Sequence, residues 1–233
     1  MIEDMLHSPL FALVLTLSAY KAAEYLSDRF ARPAWLNPVL IAILTVMACL
    51  WVLELDYEVY FDGAWILHFL LGPATVALAV PLYREARKLG KNAMAILVSV
   101  IIGALTATGL ALALGLAFGL DDAIKASLAP KTVTTPVAMD LADLLGGWPS
   151  LAAALVILAG ILGAVALPPL LSGLGLRDQR AQGLALGVAS HGIGTARALQ
   201  IARRAGAYSA LAMGLSALLT ALVLPLVWPL VSS

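Results

Sequence analysis

The chain has 233 residues, 62% of them hydrophobic and only 12% charged, with zero formal net charge and a mean hydropathy of +0.97. Soluble domains average about half apolar and a quarter charged, so this composition describes an integral membrane protein. Balanced charge argues against a nucleic-acid partner, since no basic face exists to neutralise phosphates, and the lone Cys49, a packing residue in an apolar run, leaves no intramolecular disulfide or CxxC metal site.

In chain order, apolar runs centre on residues 8 to 26, 34 to 53, 64 to 83, 93 to 119, 151 to 171 and 207 to 231. Each is near the length of about 20 residues that crosses a bilayer as a helix. They predict an all-α integral membrane protein with about six full transmembrane helices, forming a single transmembrane domain over residues 1 to 233. Glu3 and Asp4 with no basic n-region argue against a secretory signal peptide. Asn37, in Leu36-Asn37-Pro38, either caps the second helix or offers its amide to a cavity. His7 and His68 read as interfacial or packed residues.

Residues 122 to 146 and 181 to 200 are long enough to enter the bilayer but carry glycine, proline, hydroxyl and charged residues near their middles. They predict two broken or re-entrant helical segments, tolerated only where irregular backbone is buried in protein or lines a cavity, a transporter-like arrangement. Residues 54 to 63 hold Glu54, Asp56, Glu58 and Asp62 and no base, whereas residues 84 to 91 hold Arg84, Arg87, Lys88 and Lys91, which places the second loop in the cytoplasm and the amino terminus outside. Arg177 and Arg180 then face the cytoplasm if both broken segments re-enter and the exterior if both span, so the positive-inside rule favours re-entry. Glu85 to Gly90 and Ile201 to Gly206 echo one another, each after an interrupted segment; such pairs point to a transporter binding site, but this topology puts both copies on one side, which does not suit an inverted repeat.

The polar breaks carry the candidate chemistry, because charged and hydroxyl side chains are expensive at membrane depth. The first runs Pro130-Lys131-Thr132-Val133-Thr134-Thr135-Pro136. Its prolines remove amide donors and disfavour helix before them, freeing Thr132, Thr134 and Thr135 to face a ligand. Lys131 can pair with an anion or with Asp140; Asp140 reads either as a buried, proton-carrying carboxylate or as a solvated helix-end acid beside Asp143. The second break is Ser190-His191-Gly192-Ile193-Gly194-Thr195-Ala196-Arg197. A half-helix beginning there would turn its positive end toward an anion. Arg197 offers either a bidentate fork for carboxylate or a snorkelling charge beside Arg203 and Arg204. His191 can relay a proton, but no companion stands at metal-ligand spacing, and no cofactor motif is present. Ser190 beside His191 makes a poor nucleophile and base, since neighbours on a helix diverge by about 100°, and no GxSxG elbow exists; the chain does not read as an enzyme.

These motifs in order, Leu36-Asn37-Pro38, Pro73 through Leu82-Tyr83, Pro130 through Met139, Gly146-Gly147, Gly160-Ile161-Leu162-Gly163 and Ser190-His191 through Arg197, resemble the LrgB/CidB family from about residue 8 to residue 230. The resemblance implies a multi-pass protein of the bacterial inner membrane, usually encoded with a smaller holin-like LrgA/CidA partner. It implies either an antiholin-like regulator of murein hydrolase activity and autolysis or, by similarity to plastid glycolate/glycerate carriers and relatives implicated in pyruvate transport, a carrier of small monocarboxylates. Gln200 and Ala205 stand where relatives commonly have Glu, so coupling through an acid falls to Asp140, with His191 as the other candidate. Small-residue pairs such as Gly115 with Gly119 and Gly183 with Gly187 are compatible with packing or with a homo-oligomer.

Overall fold

The computed structural model describes residues 6–30, 36, 38–77, 83 and 93–232, and every regular element among them is helical. The chain forms two compact units, Met1–Ala74 and Thr75–Ser233.

The first unit begins with α1 (Pro9–Arg29), whose Ser8 caps the helix by accepting from the Phe11 amide at 3.2 Å. It continues with α2 (Pro38–Val52), α3 (Tyr57–Gly63) and α4 (Trp65–Ala77). Ala19 and Ala23 of α1 pack on Ala42, Val46 and Leu50 of α2. Gly63 lets α3 close on Ala12, and the Thr16 and Tyr60 hydroxyls meet at 2.7 Å. Asn37 and the basic stretch at 84–91 lie outside the described residues, as does the first copy of the Glu85 to Gly90 echo.

The second unit comprises α5 (Ala93–Ala117), α6 (Asp122–Leu128), α7 (Thr135–Leu144), α8 (Pro149–Gly173), α9 (Gln179–Ile201) and α10 (Arg203–Val227), closed by a 3₁₀ turn at Trp228–Leu230. Among the described residues three helices, Ala93–Ala117, Pro149–Gly173 and the continuous Arg203–Leu230, are long and apolar enough to cross a membrane. The three earlier expected spans correspond to α1, α2 and α4; α2 has 15 residues and α4 is described for 13. Α1 reaches 21 residues but carries Lys21, Glu24, Asp28 and Arg29.

Both segments read as broken turn back on themselves. In α6 and α7 the chain descends from Asp122, turns through Pro130 to Thr134 and returns, so that Trp148 donates its amide to Ser127 Oγ at 2.8 Å. In α9 the helix breaks at His191 and folds over, bringing Leu186 and Ala198 into one cluster. Twelve residues apart, they would stand about 18 Å apart along a straight helix. The two hairpins have their bases at opposite ends of the bundle. The first rests on the carboxyl-terminal end of α10: Ala126, Ala129 and Leu141 pack with Leu224 and Trp228, and Lys125 Nζ donates to the Val231 carbonyl at 3.4 Å. The second rests on the amino-terminal end of α10, where Gly183 meets Ala205 and Gly187 meets the Ser209 carbonyl.

This arrangement predicts paired labelling. In a Cys49→Ala background, single cysteines at Phe118 and Leu144 should react with a membrane-impermeant thiol reagent from one face, and cysteines at Leu174 and Ile201 from the other. Opposite-sided labelling within either pair would mean that the intervening segment spans.

Candidate functional site between two hairpin tips

The tips of the two hairpins converge on α8. Val133, fully buried in the first tip, packs in one cluster with Ala138, Ala142, Ala152 and Val156, while His191 in the second tip hydrogen bonds to the Val156 carbonyl at 2.9 Å. A carbonyl only accepts, so Nε2 of His191 carries the hydrogen. Val156 lies within α8, two turns in from Pro149, and the meeting point is therefore inside the helical bundle rather than at its end.

The second tip is built by tertiary packing. His191 adopts φ 40° and ψ −128°, a left-handed backbone on a non-glycine residue, while the two neighbouring glycines, Gly192 and Gly194, do not take the positive φ. Such a conformation costs about 1–3 kcal/mol and persists only where its surroundings impose it. Here they do: the imidazole lies where a Cβ on Gly160 would stand, with Nε2 at 2.6 Å, and Ser190 Oγ occupies the place of a Cβ on Gly163. Gly194 in turn admits the Leu186 carbonyl and the Ser190 Cβ, allowing the two arms to close. Thr195 Oγ1 donates to the His191 carbonyl at 2.9 Å, so Ser209 of α10, also at 2.9 Å, must donate to Thr195.

The first tip is held differently. Lys131 Nζ reaches the Ala107 carbonyl of α5 at 3.3 Å, and Thr132 is buried at 5% exposure. At the base of this hairpin Lys125, 3% exposed, is ion-paired to Asp122 at 2.6 Å, its methylenes fitting against Gly115. At the base of the second, Asp178 caps α9 and grips Arg180; the guanidinium beside it holds its carboxyl down at about 2. That carboxylate contributes fully above about pH 4, the ordinary range of the free acid, and its contribution fades only as the pH falls toward 2.

The predicted site residues separate into two groups. Lys131, Thr132, Thr134 and Thr135 gather at the first tip, and Ser190, His191 and Thr195 at the second. The hydroxyl oxygens of Thr132, Thr134 and Ser190 are buried and have no protein hydrogen-bond partner. Buried hydroxyls are normally paired, so these three are the atoms a polar ligand or water would satisfy. Arg197 lies six residues beyond the break on the returning arm, where its Nη1 donates to Gln200 at 2.9 Å. Asp140 is exposed on α7. No group of three or more potential metal ligands occurs among the described residues.

Sequence reading picks out Gly160-Ile161-Leu162-Gly163 as a motif, and Ala159 with Gly163 as a close-packing pair, without assigning them as a receiving surface, and it passes over the inner face of α10. Gly160 and Gly163 accept the second tip, and α10 turns Ser209, Met213, Ser216 and Thr220 inward while Leu218, Leu222 and Leu226 are 59%, 61% and 78% exposed. The signal was the spacing of hydroxyls by seven and four residues along one face of an otherwise apolar helix.

An all-helical membrane fold, with two hairpins whose tips pack on one helix and carry unpaired hydroxyls, defines the class. Within that class the chain belongs to the LrgB-like family, whose model matches residues 16–230. It is 39% identical over 215 residues to YxaC of Bacillus subtilis, described as uncharacterized, covering 92% of this chain and 93% of that one. It is 32% identical over 217 residues to the holin-like protein CidB of Staphylococcus aureus, covering 93% and 94%. YwbG of Bacillus subtilis, also described as uncharacterized, is 35% identical over 218 residues, covering 92% and 95%. No solved structure matches the chain.

Adding a methyl group where the second tip docks should displace it. Gly163→Ala and Gly160→Ala are each expected to lower stability by about 1–3 kcal/mol, the cost of overpacking a filled core. Thermal unfolding in detergent should show this, with Gly109→Ala, whose Cβ meets nothing within 4 Å, as an unaffected control. Equal stability of all three variants would remove the docking role of these glycines.

Proposed function

We propose that this protein is a carrier of small monocarboxylates of the pyruvate, glycolate and glycerate class in the bacterial inner membrane. The observation that supports this reading best is the convergence of two opposed hairpin tips on Val156, together with the unpaired buried hydroxyls of Thr132 and Thr134 in the first tip and Ser190 in the second. Interrupted helices that place half-helix amino termini near the bilayer midplane are a transporter device, because those ends attract anionic substrate groups. Arms beginning at Thr135 and Gly192 supply two such ends. Thr132, Thr134 and Ser190 would donate to the carboxylate or to a neighbouring hydroxyl or keto oxygen, and Lys131 would balance charge. Arg177, Arg180, Arg203 and Arg204 lie at the base of the second hairpin with Asp178, whereas the base of the first has Asp121, Asp122 and Asp143 with one base, Lys125. By the positive-inside rule the second hairpin opens to the cytoplasm and the first to the exterior.

A second reading is an antiholin-like regulator of murein hydrolase activity that works with a holin-like LrgA/CidA-type partner. The name of the Staphylococcus aureus relative, holin-like protein CidB, favours it. Such a regulator has no need of hydroxyls at the hairpin tips, which is where the two readings part.

Reconstituted in liposomes, the protein is expected to take up labelled pyruvate, glycolate or glycerate saturably. Ser190→Ala and Thr134→Val should each lower uptake by about tenfold or more, the loss of a hydrogen bond to a charged group, and Arg197→Ala should lower it less. Absence of uptake for all three acids, with and without a holin-like partner that nevertheless binds, would overturn the carrier reading in favour of the regulator.

A further inference from the structure

The two hairpins share more than their form. Asp121 and Asp178 are the N-cap residues of α6 and α9, 57 positions apart, and the helical hairpins that follow each run 23 residues, from Asp122 to Leu144 and from Gln179 to Ile201. Each leads into a helix of 25 residues, α8 and α10. The same interval carries contacts onto contacts. Ala138 packs with Ala152 in the first half, and Thr195 hydrogen bonds to Ser209 in the second. Most telling are the contacts that cross between halves: Leu186 and Ala198 of the second hairpin pack on Leu167 of α8, and Ala129 and Leu141 of the first pack on Leu224 of α10. Every residue in the latter trio stands 57 positions from its counterpart, and Pro168 maps onto Pro225 in the same register. The start of α8 lies at the first hairpin's base and the start of α10 at the second hairpin's base, so the two long helices run in opposite directions.

We propose that residues 121–171 and 178–228 are inverted copies of one hairpin-and-helix unit, and that Ser216 of α10 lines a ligand site lying on the axis between them. Ser216 is fully buried and its hydroxyl has no protein partner. It follows Met213, which touches Thr195 of the second tip, and precedes Ala217, which packs against the first-tip cluster of Val133 and Ala138. One turn further, Thr220 shares a cavity of about 120 Å³ with Thr108 of α5, the residue beside the Ala107 carbonyl that receives Lys131. A serine in this place lies level with both tips and belongs to neither hairpin. Its counterpart in the first copy, Ala159, bears no polar group, so the inverted copies present unlike walls to one ligand. A hydroxyl on one wall only gives an otherwise symmetric pocket a direction, as suits a small acid with a carboxylate at one end and a hydroxyl or keto oxygen at the other. The ligand's identity rests on the carrier reading; the position of Ser216 does not.

The test is substituted-cysteine accessibility in proteoliposomes. In a Cys49→Ala background, Ser216→Cys should react with the anionic, water-soluble reagent sulfonatoethyl methanethiosulfonate as the hairpins open. Leu218→Cys, 59% exposed on the outer face of the same helix, should not. Pyruvate, glycolate or glycerate is expected to slow the modification of Ser216→Cys at least threefold. A Ser216→Cys protein that is folded by thermal unfolding yet unreactive from either face would overturn the proposal. Modification that none of the acids slows would leave Ser216 on a water-accessible axis and count instead against the carrier reading.

Discussion

A helix broken inside a membrane leaves backbone amides and carbonyls that water cannot reach, so its tip must be held by protein. In this chain that demand is met by contact at atomic range: Gly160 and Gly163 clear a place on α8 into which His191 and Ser190 fit, and the Val156 carbonyl fixes the imidazole. The position of the second tip, the left-handed turn at His191 and the proximity of the two hairpins all follow from this docking. Side chains any larger at the two glycines would exclude the tip, and without it the break would have no support.

The two tips solve the same problem with different chemistry. The second relies on hydrogen bonds, from His191 to Val156 and through Thr195 to Ser209. The first relies on apolar burial of Val133 and on Lys131 reaching the Ala107 carbonyl. A buried polar network rigidifies when complete, whereas an orphaned hydroxyl costs roughly 1–3 kcal/mol. Orphaned hydroxyls persist at both tips and, between them, at Ser216 of α10. Unmet hydrogen-bonding capacity at both tips, in helices that otherwise expose leucine, is what the carrier reading draws on. Membership of the LrgB-like family locates the chain among holin-like relatives, and it is these groups that favour a transported ligand.

Much of this was legible in the residues. Pro130 and Pro136 announced the first turn, because a proline cannot continue the hydrogen-bond ladder, and the polar run from Ser190 to Arg197 announced the second. Whether these segments spanned or turned back was less visible, since a hairpin and a single span of 23 residues differ in contacts and hardly in composition. The break at His191 was hidden for a related reason: local preference puts positive φ at Gly192 or Gly194, and only α8 explains why the histidine takes it. Arg197 reads as an anchor of the site by charge, and in the fold it lies on the returning arm with its Nη1 on Gln200. Ser216 is harder to read, because the spacing of Ser209, Ser216 and Thr220 marks one face of the helix but does not say which of them stands between the tips.

Electron cryo-microscopy of the protein in lipid nanodiscs with glycolate addresses the central claim most directly, since it would show the hairpins and any bound acid together. Two hairpins entering from opposite faces are expected, with ligand density between residues 131–135 and 190–195 and beside Ser216. An unbroken helix across residues 179–201, or an acid bound away from both tips, would contradict it.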